Sequence, residues 1–220
     1  MSHNVHPYAH RLVTLRDWKS RWFDTGKQYV ANLRADVLLR EFLEKRLRGK
    51  YVSSIEFERG RKATRLIIRT SRPGVLIGRN GDEAKKLRAA IMKFMGKRTI
   101  TLPEDFQVDV VEVANADANA KIVAQMVAEM LEKRMPFRRA TKQTAEKVMA
   151  VKGVKGVRIL LAGRLGGAEM ARREEVKQGG IPLQFIRADI DYAQETARLP
   201  YGGVGIKVWI YHGDSLENTK

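Results

Sequence analysis

The stretch Val75-Leu76-Ile77-Gly78-Arg79-Asn80-Gly81 constrains this chain more than any other, because two glycines three apart interrupt an otherwise helical run. Glycine at both ends allows the main chain to turn sharply and lets another backbone come within van der Waals contact, where a Cβ would hold it away. A charged helical stretch begins near Asp82, so the loop leads into a helix N-terminus whose free N–H groups suit an anion. Arg79 adds a cationic partner of the same preference. Four residues alone most often mark an ordinary loop, so the rest of the chain has to decide.

Charge supplies the first decision. The 220 residues hold 42 Lys and Arg against 25 Asp and Glu, a formal net charge of +17. A polyanion is the natural partner of such a chain. No stretch reaches the apolar length of a membrane span, and His3, His6, His10, Arg11 and Arg16 stand where a signal peptide needs an apolar core. The expectation is a cytoplasmic protein. With no cysteine there is neither a disulfide nor a thiolate metal site.

The pattern along the chain predicts three parts. Residues 1–28 form a basic, aromatic arm without periodicity, carrying Trp18, Trp22 and Phe23 among Arg11, Arg16, Lys19 and Arg21. Residues 29–115 begin with helical spacing at Val30, Leu33, Val37, Leu38, Phe42 and Leu47. Strands follow around Ile55 to Glu58 and Leu66 to Ile68, joined by the turn Arg59-Gly60-Arg61-Lys62. Then come a helix opening at Pro73, the glycine loop, a helix over Asp82 to Met95 with Ala84, Leu87, Ile91 and Met95 on one face, and a strand at Val108 to Glu112. That order, helix-strand-strand-helix-helix-strand, resembles the type II KH domain, in which the loop Gly78, Arg79, Asn80 and Gly81 would clamp unpaired RNA.

Residues 116–220 read as a second α/β module. Ile122, Val123, Met126, Val127, Met130 and Leu131 make one apolar helix face, and Pro136 restarts a helix whose inward side is Ala140, Ala145 and Val148. Strands are predicted at Val157 to Leu161, Leu183 to Tyr192, and along Val204, Ile206, Val208 and Ile210. The fold class is therefore α+β: a type II KH domain followed by a two-layer domain with a small mixed sheet packed on helices.

Other motifs are weighed against simpler readings. Gly163-Arg164-Leu165-Gly166-Gly167 lacks the Gly-Lys-Ser/Thr of a nucleotide loop and reads as a tight turn aiming Arg164 at RNA phosphate. Asp189 and Asp191 share one strand face, as a metal-assisted nuclease would need, yet no third ligand accompanies them, and carboxylates answering nearby arginines are the simpler reading. No nucleophile, base and orienting group can be assembled, so no enzyme, metal, cofactor or small-molecule substrate is expected.

Taken together, Val5-His6-Pro7, Arg11-Leu12, Trp18 through Phe23, Arg72-Pro73-Gly74, the glycine loop, Phe137-Arg138-Arg139-Ala140, Gly163 through Glu169, Arg187 through Tyr192 and Gly205 through Ile210 make nearly the whole chain similar to the bacterial small-subunit ribosomal protein three family. The resemblance implies a structural protein of the small-subunit head, bound to ribosomal RNA, beside ribosomal proteins ten and fourteen, and lining the channel where messenger RNA enters. It further implies that Arg138, Arg139 and Lys142 help open messenger duplexes, and that Arg11, Arg16, Lys19, Arg21 and Arg164 touch ribosomal RNA. Departures stand out at Asn80 and Gln143, where many relatives are basic, in the stretch Lys97 to Phe106, which is slightly longer than usual and contains Pro103, and in a C-terminus without their long basic tail. A free RNA-binding regulator or processing factor is the rival reading.

Overall fold

The computed structural model describes residues 5–60, 63–98 and 105–215. Contacts gather into two compact units, one spanning Trp18–Ala114 and the other combining the described residues of 1–17 with those of 115–220. The stretch that reads as one arm in the sequence therefore divides at residue 17.

In the first unit a two-residue strand β1 (Ser20–Arg21) precedes helix α1 (Gly26–Arg46), strands β2 (Val52–Arg59) and β3 (Ala63–Thr70), helices α2 (Pro73–Ile77) and α3 (Asp82–Lys97), and strand β4 (Asp105–Glu112). The sheet order is β1-β2-β3-β4, with β2 and β3 antiparallel and both outer pairs parallel. This is the element order of the type II KH domain. Alternation on β2 and β3 buries Ile55, Phe57, Leu66 and Ile68 against Leu39, Leu43, Leu76, Ile91 and Met95. Phe42 stacks on Phe94 with ring centroids 4.4 Å apart.

α1 departs from expectation in its start and in its face. It begins at Gly26, and its buried positions are Ala35, Asp36, Leu39 and Leu43, whereas Val30, Leu33 and Val37 are exposed. Helical periodicity offers two apolar stripes here, and only packing on the sheet selects one of them. The chosen stripe includes a charged residue because Asp36 finds partners: Arg59 forms a buried ion pair with it, and Trp22 Nε1 donates to it at 2.8 Å.

The second unit places helices α4 (Ala120–Glu132) and α5 (Phe137–Met149) on one face of a sheet ordered β6-β5-β8-β7. Its strands are β5 (Gly156–Gly163), β6 (Arg172–Gly179), β7 (Ala188–Leu199) and β8 (Gly202–Asp214). This sheet is antiparallel throughout, not mixed as expected, because it consists of two hairpins joined edge to edge through β5 and β8. Val204, Ile206, Val208 and Ile210 of β8 point into the helix-covered core with Val123, Val127, Ala140 and Val148. Asn119 caps α4, its side chain accepting from Lys121 N and Ile122 N at 3.1 and 3.3 Å.

Two strand readings change. β6 was not foreseen: its sequence, Arg-Arg-Glu-Glu-Val-Lys-Gln-Gly, offers little apolar alternation, as suits a charged edge strand. β7 starts at Ala188 rather than Leu183, since the carbonyls of Leu183 and Phe185 turn to the buried Arg11 guanidinium instead of a ladder partner.

Candidate nucleic-acid interface

The glycine loop is built by the end of α2 and the start of α3. Gly78 closes α2 with its N–H on Gly74 O at 2.9 Å and adopts φ +72. A β-carbon there would lie 2.8 Å from Cγ and 2.9 Å from Cβ of Glu83, so glycine is required by the protein's own packing as well as by backbone conformation. Asn80 (φ 53) and Gly81 (φ 79) follow in the left-handed region. Asn is among the few side chains that enter that region readily, which accounts physically for its presence in the loop. A β-carbon at Gly81 meets nothing of the protein within 4 Å, so the space beside it is open to a ligand.

Arg79 and Asn80 are exposed at the tip. The first turn of α3 carries Asp82 and Glu83, which temper the attraction of this helix N-terminus for anions. Glu83 accepts from Lys86 Nζ at 2.9 Å, and that hydrogen bond, followed by the charge of Lys86, holds its carboxyl below the usual range. The net positive character of the loop therefore comes from Arg79 and from Lys85 and Lys86 on the helix beyond.

In the second unit, α5 turns Ala140, Thr141, Thr144, Ala145 and Val148 inward and leaves Arg138, Arg139 and Lys142 exposed. Thr141 and Thr144 are buried with their hydroxyls satisfied, donating back to main-chain carbonyls, Thr144 to Ala140 O at 2.7 Å. The three cations thus sit on a helix whose inner side is fully engaged. Between α5 and β6 lies a groove of about 340 Å³ lined by Phe137, Arg138, Thr141, Lys142, Glu174, Glu175 and Val176. The sequence held no signal for this groove, because β6 was not legible.

One arginine of the arm is placed differently from expectation. Arg11, expected on RNA, is 1% exposed, and its guanidinium donates to Pro7 O, Leu183 O, Phe185 O and Ala188 O at 2.9, 3.2, 2.7 and 2.7 Å. It pins the 183–188 loop and has no surface to offer a phosphate. Arg16 pairs with Asp189 at 2.8 Å and Asp191 at 3.8 Å, while Arg21 lies between Glu58 and Glu56 at 3.0 and 3.6 Å. Lys19 is exposed, and its carbonyl ties β1 to Phe57 N at 2.9 Å. Arg164 is exposed in a tight turn, donating to Ala168 O and Tyr201 O at 2.9 and 3.3 Å.

Asp189 and Asp191 are likewise committed. Asp191 accepts from the Tyr8 hydroxyl and, on its other oxygen, from Ala120 N at 2.7 Å, at the N-terminus of α4. These carboxylates answer Arg16, and Asp191 also caps a helix from a buried position, which the simpler reading did not include. Among the described residues no cluster of His, Cys, Asp and Glu could hold a metal ion, and no helix is long and apolar enough to cross a membrane.

Comparison with known proteins agrees with this architecture. The KH domain family model matches residues 38–118, and the model for the C-terminal domain of ribosomal protein S3 matches residues 127–210. Small ribosomal subunit protein uS3 of Clostridium perfringens (strain SM101) is 40% identical over 220 residues, covering 100% of this chain and 96% of that protein. Those of Bacillus cytotoxicus and Bacillus cereus (strain ZK) are each 41% identical over the same shares. The chain belongs to the uS3 family of small ribosomal subunit proteins.

Membership makes it a structural, RNA-binding constituent of the small ribosomal subunit rather than an enzyme. The glycine loop lies inside the KH match, and Arg138, Arg139 and Lys142 lie inside the C-terminal match.

Proposed function

We propose that this uS3 protein binds ribosomal RNA in the head of the small subunit, beside ribosomal proteins ten and fourteen, and lines the channel through which messenger RNA enters. The loop Gly78 to Gly81 clamps a single-stranded segment, and exposed cations such as Lys19 and Arg164 meet structured RNA through phosphate. Arg138, Arg139 and Lys142 face the passing message. One observation carries this last assignment: three cations stand exposed on a helix whose opposite side is occupied by buried Ala140, Thr144, Ala145 and Val148, so the ridge is rigidly held.

Such a ridge needs no nucleotide site. Translocation supplies the work, and fixed positive charges favour two separated strands, whose phosphates they can reach individually, over the closed duplex. Replacing Arg138, Arg139 and Lys142 with Ala is expected to leave subunit assembly intact and to slow translation through a stable hairpin more than through an unstructured message. Equal slowing on both messages, or on neither, would remove the strand-separating role. Sedimentation of the tagged protein from extract at high salt tests the wider reading: a free pool without subunit association would favour a regulator acting off the ribosome.

A further inference from the structure

The groove beside the α5 ridge contains a carboxylate that a purely cationic RNA contact would not need. Glu174 of edge strand β6 faces Arg138 across it at 3.6 Å, with the two side chains 37% and 71% exposed. Its neighbour Glu175 also lines the groove but is paired with Arg158 at 2.6 Å. On the same strand, two residues before Glu174 and so on the same face, Arg172 brings its guanidinium to 5.5 Å from the centroid of the Phe137 ring, and Arg138 lies 5.6 Å from that centroid. Arg138 and Arg172 therefore meet at the Phe137 ring, and Phe137, Arg138, Lys142 and Glu174 line one groove.

We propose that this groove is a phosphodiester-binding track in which Arg172 is a fourth cationic contact, and that Glu174 limits how tightly the track holds RNA by competing with phosphate for Arg138. The inference rests on the reading of α5 as the strand-facing ridge. At 3.6 Å the Arg138 and Glu174 groups are beyond a direct hydrogen bond, and pairs this exposed contribute little, so an arriving phosphate displaces the carboxylate easily. The displaced carboxylate remains beside the phosphate and repels it. A strand that must advance continually through the channel is thereby gripped weakly and released, where arginines alone would retain it.

The test uses the full chain carrying the Arg79→Asp and Asn80→Asp changes, so that the glycine loop does not mask the groove, with a short unpaired RNA followed by fluorescence anisotropy over a range of salt concentrations. Glu174→Gln is expected to raise affinity about three-fold, the scale of one exposed ion pair. Arg172→Ala is expected to lower it and to flatten the salt dependence by roughly 0.7 in the logarithmic slope, one phosphate contact on a single strand. In an Arg138→Ala background the gain from Glu174→Gln should shrink, because only direct repulsion of the phosphate remains. Loss of affinity in the Arg138, Arg139 and Lys142 triple variant, together with no gain from Glu174→Gln or the same gain without Arg138, overturns this inference and leaves the ridge standing. A triple variant with unchanged affinity defeats the ridge reading itself. All of these side chains are at least partly exposed, and unaltered melting of each variant confirms that binding rather than folding is being read.

Discussion

The hydroxyl of Tyr8 donates to the carboxylate of Asp191, 183 residues further along the chain, and accepts from the main-chain N–H of Tyr192 at 3.2 Å. The same carboxylate receives the N–H of Ala120 at the start of α4. One aspartate thus ties the N-terminal segment, a sheet strand and a helix terminus together within the second unit. Burial first, and Asp191 second, push the Tyr8 phenol above its ordinary range.

The sign of the resulting pH dependence follows directly. The folded state holds the phenolic proton more tightly than the unfolded chain, so the stabilisation is complete below the unfolded phenol's pKa of about 10 and is lost as pH rises beyond it. Tyr8→Phe should cost about 1–3 kcal/mol at neutral pH by leaving a buried acceptor unpaired. The gap between variant and parent in urea unfolding should narrow above pH 10; parallel curves across that range would refute the linkage.

Asp36 offers a second stability test. Its carboxylate is fully buried, faces an Arg59 side chain that is 6% exposed, and accepts from Trp22. Asp36→Ala strands a buried guanidinium and should destabilise by about 3–5 kcal/mol, whereas replacing Asp36 and Arg59 together by Leu and Met should cost far less. Chemical unfolding followed by tryptophan fluorescence distinguishes these outcomes, and equal losses in the two variants would show that the charge pairing is not what matters.

The two loop glycines should behave differently. Gly81→Ala meets open space and incurs only left-handed strain of about 1–2 kcal/mol, but its methyl occupies the surface that RNA must approach. Gly78→Ala carries the same strain and also collides with Glu83, so it should destabilise more. Both should weaken binding of unpaired RNA, measured by anisotropy, while thermal melting separates them. A Gly78→Ala variant as stable as Gly81→Ala would mean that Glu83 yields freely.

By itself the sequence determined which segments become helices and strands wherever periodicity was strong: α3 with Leu87, Ile91 and Met95, α4 and α5 with their apolar faces, and β8 with its strict alternation. It also disclosed the glycine loop, because local spacing carries that pattern, whereas only the family resemblance singles out Arg138, Arg139 and Lys142 from other solvated helix cations. Tertiary structure decided the rest. Which stripe of α1 is buried depended on the sheet it meets and on Arg59 being there to satisfy Asp36. Whether Arg11 faced RNA or the interior depended on carbonyls more than 170 residues away, and an arginine at the surface reads the same in sequence as one whose donors are all consumed. The edge strand β6 has few apolar residues to announce it, so only pairing with β5 makes it a strand and brings Glu174 to Arg138. Local propensity is a property of neighbours in the chain, whereas burial, charge pairing and sheet edges arise from residues that meet only on folding.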